Sequence, residues 1–111
     1  MMTKETLISR LLELPSAIAE AEGSVLENED KRQQVADALQ RIEDELLLNG
    51  IADGKNAEIR AAQVRSMTAD TREVLVLKEQ AKARALVEVR QLTHEFSALR
   101  NVARLLSGGD L

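Results

Sequence analysis

Apolar residues recur at alternating steps of three and four along most of this 111-residue chain, and this spacing constrains the fold more than any other feature. Such a repeat lines one face of a helix with apolar side chains, which form a seam with a second helix. In the first half it runs through Leu7, Leu11, Leu14, Ile18, Ala21, Val25, Val35, Leu39, Ile42 and Leu46, with Asn28 and Arg32 as polar interruptions. We predict a helix, continuous or broken, over residues 4–49.

The second half carries its own apolar repeat. It runs through Val89, Leu92, Phe96 and Leu99, and upstream through Ile59, Ala62, Met67, Val74, Leu77, Ala81 and Ala85. The two consecutive four-residue steps that end at Ala85 form a stutter, which would locally straighten a supercoil. We predict one helix over residues 55–107, weakest between Ser66 and Asp70.

A turn separates the two repeats at Asn49, Gly50, Asp53 and Gly54. Gly50 suits the left-handed conformation in which helices often end, and Asp53 suits the cap of the next helix. A turn this short, predicted at residues 50–54, makes neighbouring helices antiparallel. The predicted fold class is therefore all-α: a long antiparallel coiled-coil helical hairpin, forming one domain over residues 1–111.

Pro15 and Gly23 are the weak points of the first helix. Proline removes a backbone donor and either starts a new helix or kinks an existing one. Ser24 and Glu27 match a capping box, which would begin a helix just after Gly23. Two interpretations stay open: a helix kinked or broken near these residues, and one bent helix that tolerates them.

The two halves differ in charge. Residues 1–54 carry 5 Lys and Arg against 12 Asp and Glu, a net charge of −7, whereas residues 55–111 carry 10 against 7, a net charge of +3. Flanking charges of opposite sign set the pairing of coiled-coil helices. A basic half can also bind nucleic acid. We favour complementary helices, because the basic half contains its own apolar seam.

Some apolar residues fall outside both repeats. Leu26 does so in the first half, and Val64, Leu75 and Leu86 recur every eleven residues in the second. Aligned apolar residues suggest a further contact surface. We therefore expect a homodimer that forms a helical bundle, with an unidentified protein partner; a wide seam is the alternative.

Composition favours the same class of protein. Phe96 is the only aromatic residue and there is no cysteine, which suits a thin seam between helices and excludes thiolate metal sites. The longest apolar run, Val74–Leu77, is far shorter than the roughly 20 residues of a membrane span. We expect a cytoplasmic protein that does not enter the membrane.

No constellation of residues predicts an enzyme. His94 is the only histidine and has no second strong ligand nearby, and no phosphate-binding loop or nucleophile motif occurs. We predict no catalytic residues, no metal and no cofactor. Nucleic-acid association remains the alternative function, either through the basic second helix or through an acidic first half that mimics nucleic acid and inhibits a host DNA-processing enzyme.

Two segments resemble a known group of proteins. The turn with its flanks, Glu45–Arg60, and the pattern Ala-Leu-Arg-x-x-Ala-Arg-Leu-Leu at Ala98–Leu106 resemble small helical-hairpin proteins of phages and prophages. The resemblance implies a phage accessory protein in the cytoplasm of a bacterial host. That group has no assigned activity, so the resemblance carries over no functional residues.

Overall fold

The computed structural model describes residues 2–108, and all regular structure within that range is helical. The helices are α1 (Lys4–Leu48), α2 (Ala57–Met67) and α3 (Ala69–Leu106). The predicted all-α helical hairpin is therefore confirmed. Tertiary contacts divide the chain into two units: a first unit, made of α1 up to Leu26 and α3 from Ala83 onward, and a second unit, Glu27–Lys82.

The first unit is an antiparallel helix pair. Leu7 near the start of α1 lines a cavity with Ala103 near the end of α3. Later in α1, Ala21 lines a cavity with Leu92, which lies earlier in α3. Leu14 is fully buried here, at 0% exposure.

The second unit is a helical hairpin closed by residues 49–56. Val64 of α2 lines a cavity with Leu47, and Val74 of α3 lines another with Val35, so the chain runs back along α1. The buried apolar side chains are Leu39, Ala52 and Val64. The core is a single narrow layer between two helical segments.

α1 is one continuous helix through Pro15 and Gly23, so of the two interpretations left open the broken helix is wrong, and the helix that tolerates these residues is confirmed. Pro15 lacks the N–H that would bond to Leu11, but its ring lies on the exposed side of the helix. Leu14 and Ala21 are buried on either side of it. Packing at these positions outweighs the local cost of the proline.

The turn ends α1 as predicted and starts α2 differently. Gly50 has φ +69°, the left-handed conformation that ends a helix, and Ala52 N donates to Leu46 O at 3.0 Å. The side chain that caps α2 is Asn56, whose Oδ1 accepts from Ile59 N at 2.9 Å. Asp53 instead accepts from the Gln63 side-chain amide at 3.3 Å.

The helix predicted over residues 55–107 is two helices, which separate at Thr68. Thr68 has φ −109° and ψ 12°, outside the helical range. Its hydroxyl donates to Val64 O at 2.7 Å and accepts from Arg72 Nε at 3.0 Å. These bonds satisfy a side chain that is only 1% exposed.

Candidate interaction surfaces

The predicted seam of α1 faces the interior along both units. Leu39 is buried, and Leu11, Ile18, Val35, Ile42 and Leu46 are half-buried. The polar interruptions Asn28 and Arg32 are half-buried as well. The repeat therefore continues through these two residues without a change of phase.

The predicted seam of the second half lies inward only in the first unit. There Val89, Leu92, Phe96 and Leu99 are half-buried. In the second unit Ile59 and Leu77 lie on the surface, with exposures of 44% and 61%. A repeat of buried or half-buried positions there runs through Val64, Thr68, Thr71, Leu75, Lys78 and Lys82; Arg60, Gln63, Arg72 and Ala81 are half-buried beside it.

This second-unit seam is displaced by one residue from the predicted one. Its positions alternate by four and three from Val64 and reach Ala85 without the predicted stutter. Val64 and Thr68 are packed inside the hairpin, which sets the phase of the turns that follow. On α3, Leu77 therefore faces solvent and Val74 lies at the edge of the seam, while Thr71, Leu75, Lys78 and Lys82 face α1.

A charged cluster lies in the seam of the second unit. Glu29 accepts from Arg32 Nε at 2.9 Å and Nη2 at 2.7 Å, and its Oε2 lies 2.8 Å from Lys82 Nζ. The hydrogen bonds from Arg32, and then that from Lys82, lower the pKa of Glu29 from 4.5 to about 2. One carboxylate thus compensates two half-buried cations, one from each helix.

Two further ion pairs join the helices. In the first unit Arg10 holds Glu95 through two hydrogen bonds, of 2.6 and 2.7 Å, which lower the pKa of Glu95. In the second unit Arg72 binds Glu43. Opposite charges therefore meet across the helix pair in both units, with the carboxylate on α1 in the second unit, as predicted, and on α3 in the first.

The four residues predicted as a partner surface do not form one surface. Val64 is buried and Leu75 is half-buried, both inside the second unit. Leu26 and Leu86 belong to the first unit and are exposed, Leu26 at 70%. An eleven-residue spacing in the sequence does not distinguish buried from exposed positions. One such position can face solvent while the next faces the neighbouring helix.

The first unit exposes an apolar stripe on α1. We call Ile8, Leu12, Ala19 and Leu26 the Leu12 stripe; all four are exposed, Leu12 at 76%. Their spacing of four and seven residues places them on one helix face. The unit leaves this face without a covering element.

A basic stripe lies on the same side of the first unit. Ser107 lines a cavity with Ile8, and steps of three or four residues back from Ser107 reach Arg104, Arg100 and, further on, Arg90. These arginines are exposed, and no ion pair joins them to a carboxylate within residues 2–108. Arg100 lies over the Phe96 ring, 5.7 Å from its centroid.

The second unit exposes apolar surface on its own face. Gln34, Val35, Ala38, Ile42, Asp70, Thr71 and Val74 line an open groove of about 400 Å³, here called the Val74 groove. Leu77 and Ala81 follow Val74 at three and seven residues and extend this face along α3. The groove is a shallow apolar furrow between α1 and α3.

A larger cavity near the turn, of about 560 Å³, contains both signs of charge. Arg60 donates to Gly54 O at 2.9 Å, and Arg72 is held by Glu43 and Thr68, so both arginines bind the protein itself. Within residues 2–108 no group of three or more His, Cys, Asp or Glu side chains is placed to hold a metal ion. The same residues contain no helix that combines the length and apolar character of a membrane span.

Sequence reasoning did not find the role of Glu29. The signal was present, because Asn28 and Arg32 interrupt the first seam at a level where Lys78 and Lys82 enter the second.

Comparison with protein-family models, with curated proteins and with solved structures finds no match for this chain.

Proposed function

We propose that this chain is a non-enzymatic helical interaction protein that binds itself and a protein partner. By its resemblance, it would act as a phage or prophage accessory factor in the cytoplasm of a bacterial host. The observation that carries the proposal is the Leu12 stripe. Large aliphatic side chains aligned on an exposed helix face are typical of a surface that another helix covers.

The neighbouring charges indicate what the partner is like. Arg90, Arg100 and Arg104 border the Leu12 stripe and bind no carboxylate within residues 2–108. A partner helix with an apolar face and an acidic flank would bury the leucines and pair with these arginines. Complementary charges of this kind favour the correct partner and speed association.

Affinity capture from host lysate, with and without nuclease, tests this function. We expect capture that survives nuclease. The double variant Leu12→Glu, Leu26→Glu should reduce it at least about tenfold, because two apolar anchors are lost. Thr6→Glu is the matched control and should capture the partner normally, because Thr6 is exposed and lies six residues before Leu12, about 120° around the helix from the stripe. Equal capture by the double variant would refute the Leu12 stripe as the binding surface.

Nucleic-acid binding is the second candidate, and the same three arginines are the observation in its favour. Phosphate contacts weaken steeply as salt rises, whereas apolar helix contacts do not. A DNA gel shift at low and moderate salt separates the two. A salt-sensitive shift that Arg90→Gln and Arg104→Gln abolish would favour nucleic acid, and no shift at low salt would eliminate direct DNA binding.

A further inference from the structure

We propose that a second copy of this chain covers the Val74 groove and the adjoining Leu77, so that two second units form a four-helix bundle. The proposal rests on the self-association proposed above and names the surface responsible. Helices that face the core of a bundle carry a wider apolar face than the strict seam of a two-helix coiled coil. The second unit has this wider face on α3.

The distribution of apolar residues on α3 carries the first step. Thr71, Leu75, Lys78 and Lys82 face α1, whereas Leu77 is exposed and Val74 and the half-buried Ala81 lie beside the seam, along the groove. A helix buries its most apolar stripe wherever a partner allows. Within one chain Leu77 and Val74 of this stripe stay exposed, at 61% and 42%.

The exposed surface area of the chain shows whether it can form an interface with a second copy. The chain exposes 8095 Å², against roughly 6,100 Å² for a compact monomer of its mass. The difference, about 2,000 Å², exceeds the roughly 800 Å² that each partner contributes to a standard stable interface. The chain therefore exposes enough surface for an interface of standard size with a second copy.

Charge around the groove favours a second copy over an unrelated protein. Lys31 and Arg41 lie three residues from Gln34 and Ala38 on α1, and Asp70 and Glu73 lie on α3. Asp37 and Glu45 also border the groove on α1, so the opposite charges that can meet between copies are Arg41 and Asp70, when α1 of one copy covers α3 of the other. A partner of a single charge sign would meet repulsion on one of the two helices.

A two-fold axis parallel to the helices produces this arrangement. Ile42 and Asp70 line the same groove, as do Ala38 and Val74, so each pair lies at one level of the hairpin. The rotation places Arg41 opposite Asp70 of the second copy, and Ala38 opposite its Val74. Small side chains then face larger ones, and all neighbouring helices run antiparallel.

Molar mass measured by light scattering across a concentration series tests the assignment. We expect about 25 kDa for the native chain, twice its 12.3 kDa. Leu77→Glu should weaken the dimer about 100-fold, because two copies of the leucine leave the interface. Val76→Glu is the matched control, since Val76 is the adjacent residue, is also exposed and faces elsewhere; it should remain dimeric. Circular dichroism verifies that both variants stay helical.

A second measurement does not depend on how Leu77→Glu folds. The chain has no cysteine, so Leu77→Cys and Val76→Cys each carry one thiol. We expect alkylation of the thiol at position 77 to be at least about tenfold slower, and to accelerate on dilution. A native monomer at all concentrations, a dimer unaffected by Leu77→Glu, or equal alkylation at the two positions would overturn the proposal. If the chain is monomeric but still captures a partner after nuclease treatment, self-association through the Val74 groove is refuted. Binding of a protein partner by the Leu12 stripe is then unaffected.

Discussion

Glu29 binds the two cations that lie in the seam of the second unit. Arg32 of α1 and Lys82 of α3 both bind its carboxylate, and each cation is half-buried. Desolvated cations are costly unless a carboxylate accepts their hydrogen bonds. Removing the charge of Glu29 therefore affects two partners at once.

Glu29→Gln should lower the thermal midpoint by several degrees at neutral pH. The pKa of Glu29 is lowered in the folded protein, so its stabilising effect is fully present above about pH 4.5 and is lost as pH falls towards 2. The difference in midpoint between native chain and variant should shrink to nothing over that interval. Glu27→Gln is the control, because Glu27 makes only an exposed pair with Lys31 at 3.7 Å. A difference independent of pH would contradict this role of the carboxylate.

Thr68 offers a second test at the scale of single residues. Thr68→Ala removes a buried hydroxyl that Val64 O and Arg72 Nε both use, and should lower the free energy of unfolding by about 1–3 kcal/mol. Thr93 makes the same 2.7 Å bond to the carbonyl four residues earlier, but on the surface. Thr93→Ala should therefore change stability by less than about 0.5 kcal/mol. Urea unfolding compares the two, and equal effects would show that burial of Thr68 is unimportant.

At the scale of helices, the seam of α1 was predictable and that of α2 with early α3 was not. Along α1 one apolar face repeats over the whole helix, whereas the Leu12 stripe ends at Leu26, so spacing alone selects the seam. α3 carries two neighbouring faces, and the one that contains Val74 and Leu77 is the more apolar. Only the packing of Val64 and Thr68 inside the hairpin shows that the other face meets α1.

The candidate surfaces were predicted less well for the same reason. Leu26 and Leu86 were selected as exposed and are exposed, whereas Val64 is buried because it begins the true second-unit seam. The arginines beside the Leu12 stripe could not be placed from sequence, since their position relative to α1 depends on how the helices pair. Local spacing specifies a helix face, but only tertiary contacts decide which face is covered.

The glycines provide a prediction for the continuity of α1. Gly23→Ala should raise the free energy of unfolding by about 0.5–1 kcal/mol, because the position is helical and an added Cβ meets nothing within 4 Å. Gly54→Ala should lower stability, since its Cβ would lie 2.3 Å from Ile59 Cγ2. Urea unfolding of both variants tests this. A loss of stability in Gly23→Ala would indicate that α1 needs glycine there for a bend.

At the scale of the whole molecule, little of the chain is buried. Within residues 2–108 the buried apolar side chains are Leu7, Leu14, Ala21, Leu39, Ala52, Val64 and Ala85, of which three are alanines. Helices of this length depend on packing for stability. The proposed association would therefore add to folding stability.

The thermal midpoint should accordingly rise with protein concentration. If folded chains associate and unfolded chains do not, mass action stabilises the folded state as concentration increases. Calorimetry over a hundredfold concentration range should show a steady upward shift in the native chain and almost none in Leu77→Glu. A midpoint independent of concentration in the native chain would count against self-association.

Seams built from repeated Leu, Val and Ala can slide, because moving one helix by seven residues brings similar side chains together again. The Glu29 cluster prevents this in the second unit. A slide of one repeat would bring Leu75 to the place of Lys82 and separate Lys82 from Glu29, which would then compensate only Arg32 of its own helix. The cluster thus selects one alignment among several of similar apolar content, a role best attested for polar residues in coiled coils. The apolar repeats alone would permit several alignments of α1 with α3, and the ion pair of Glu29 favours one of them.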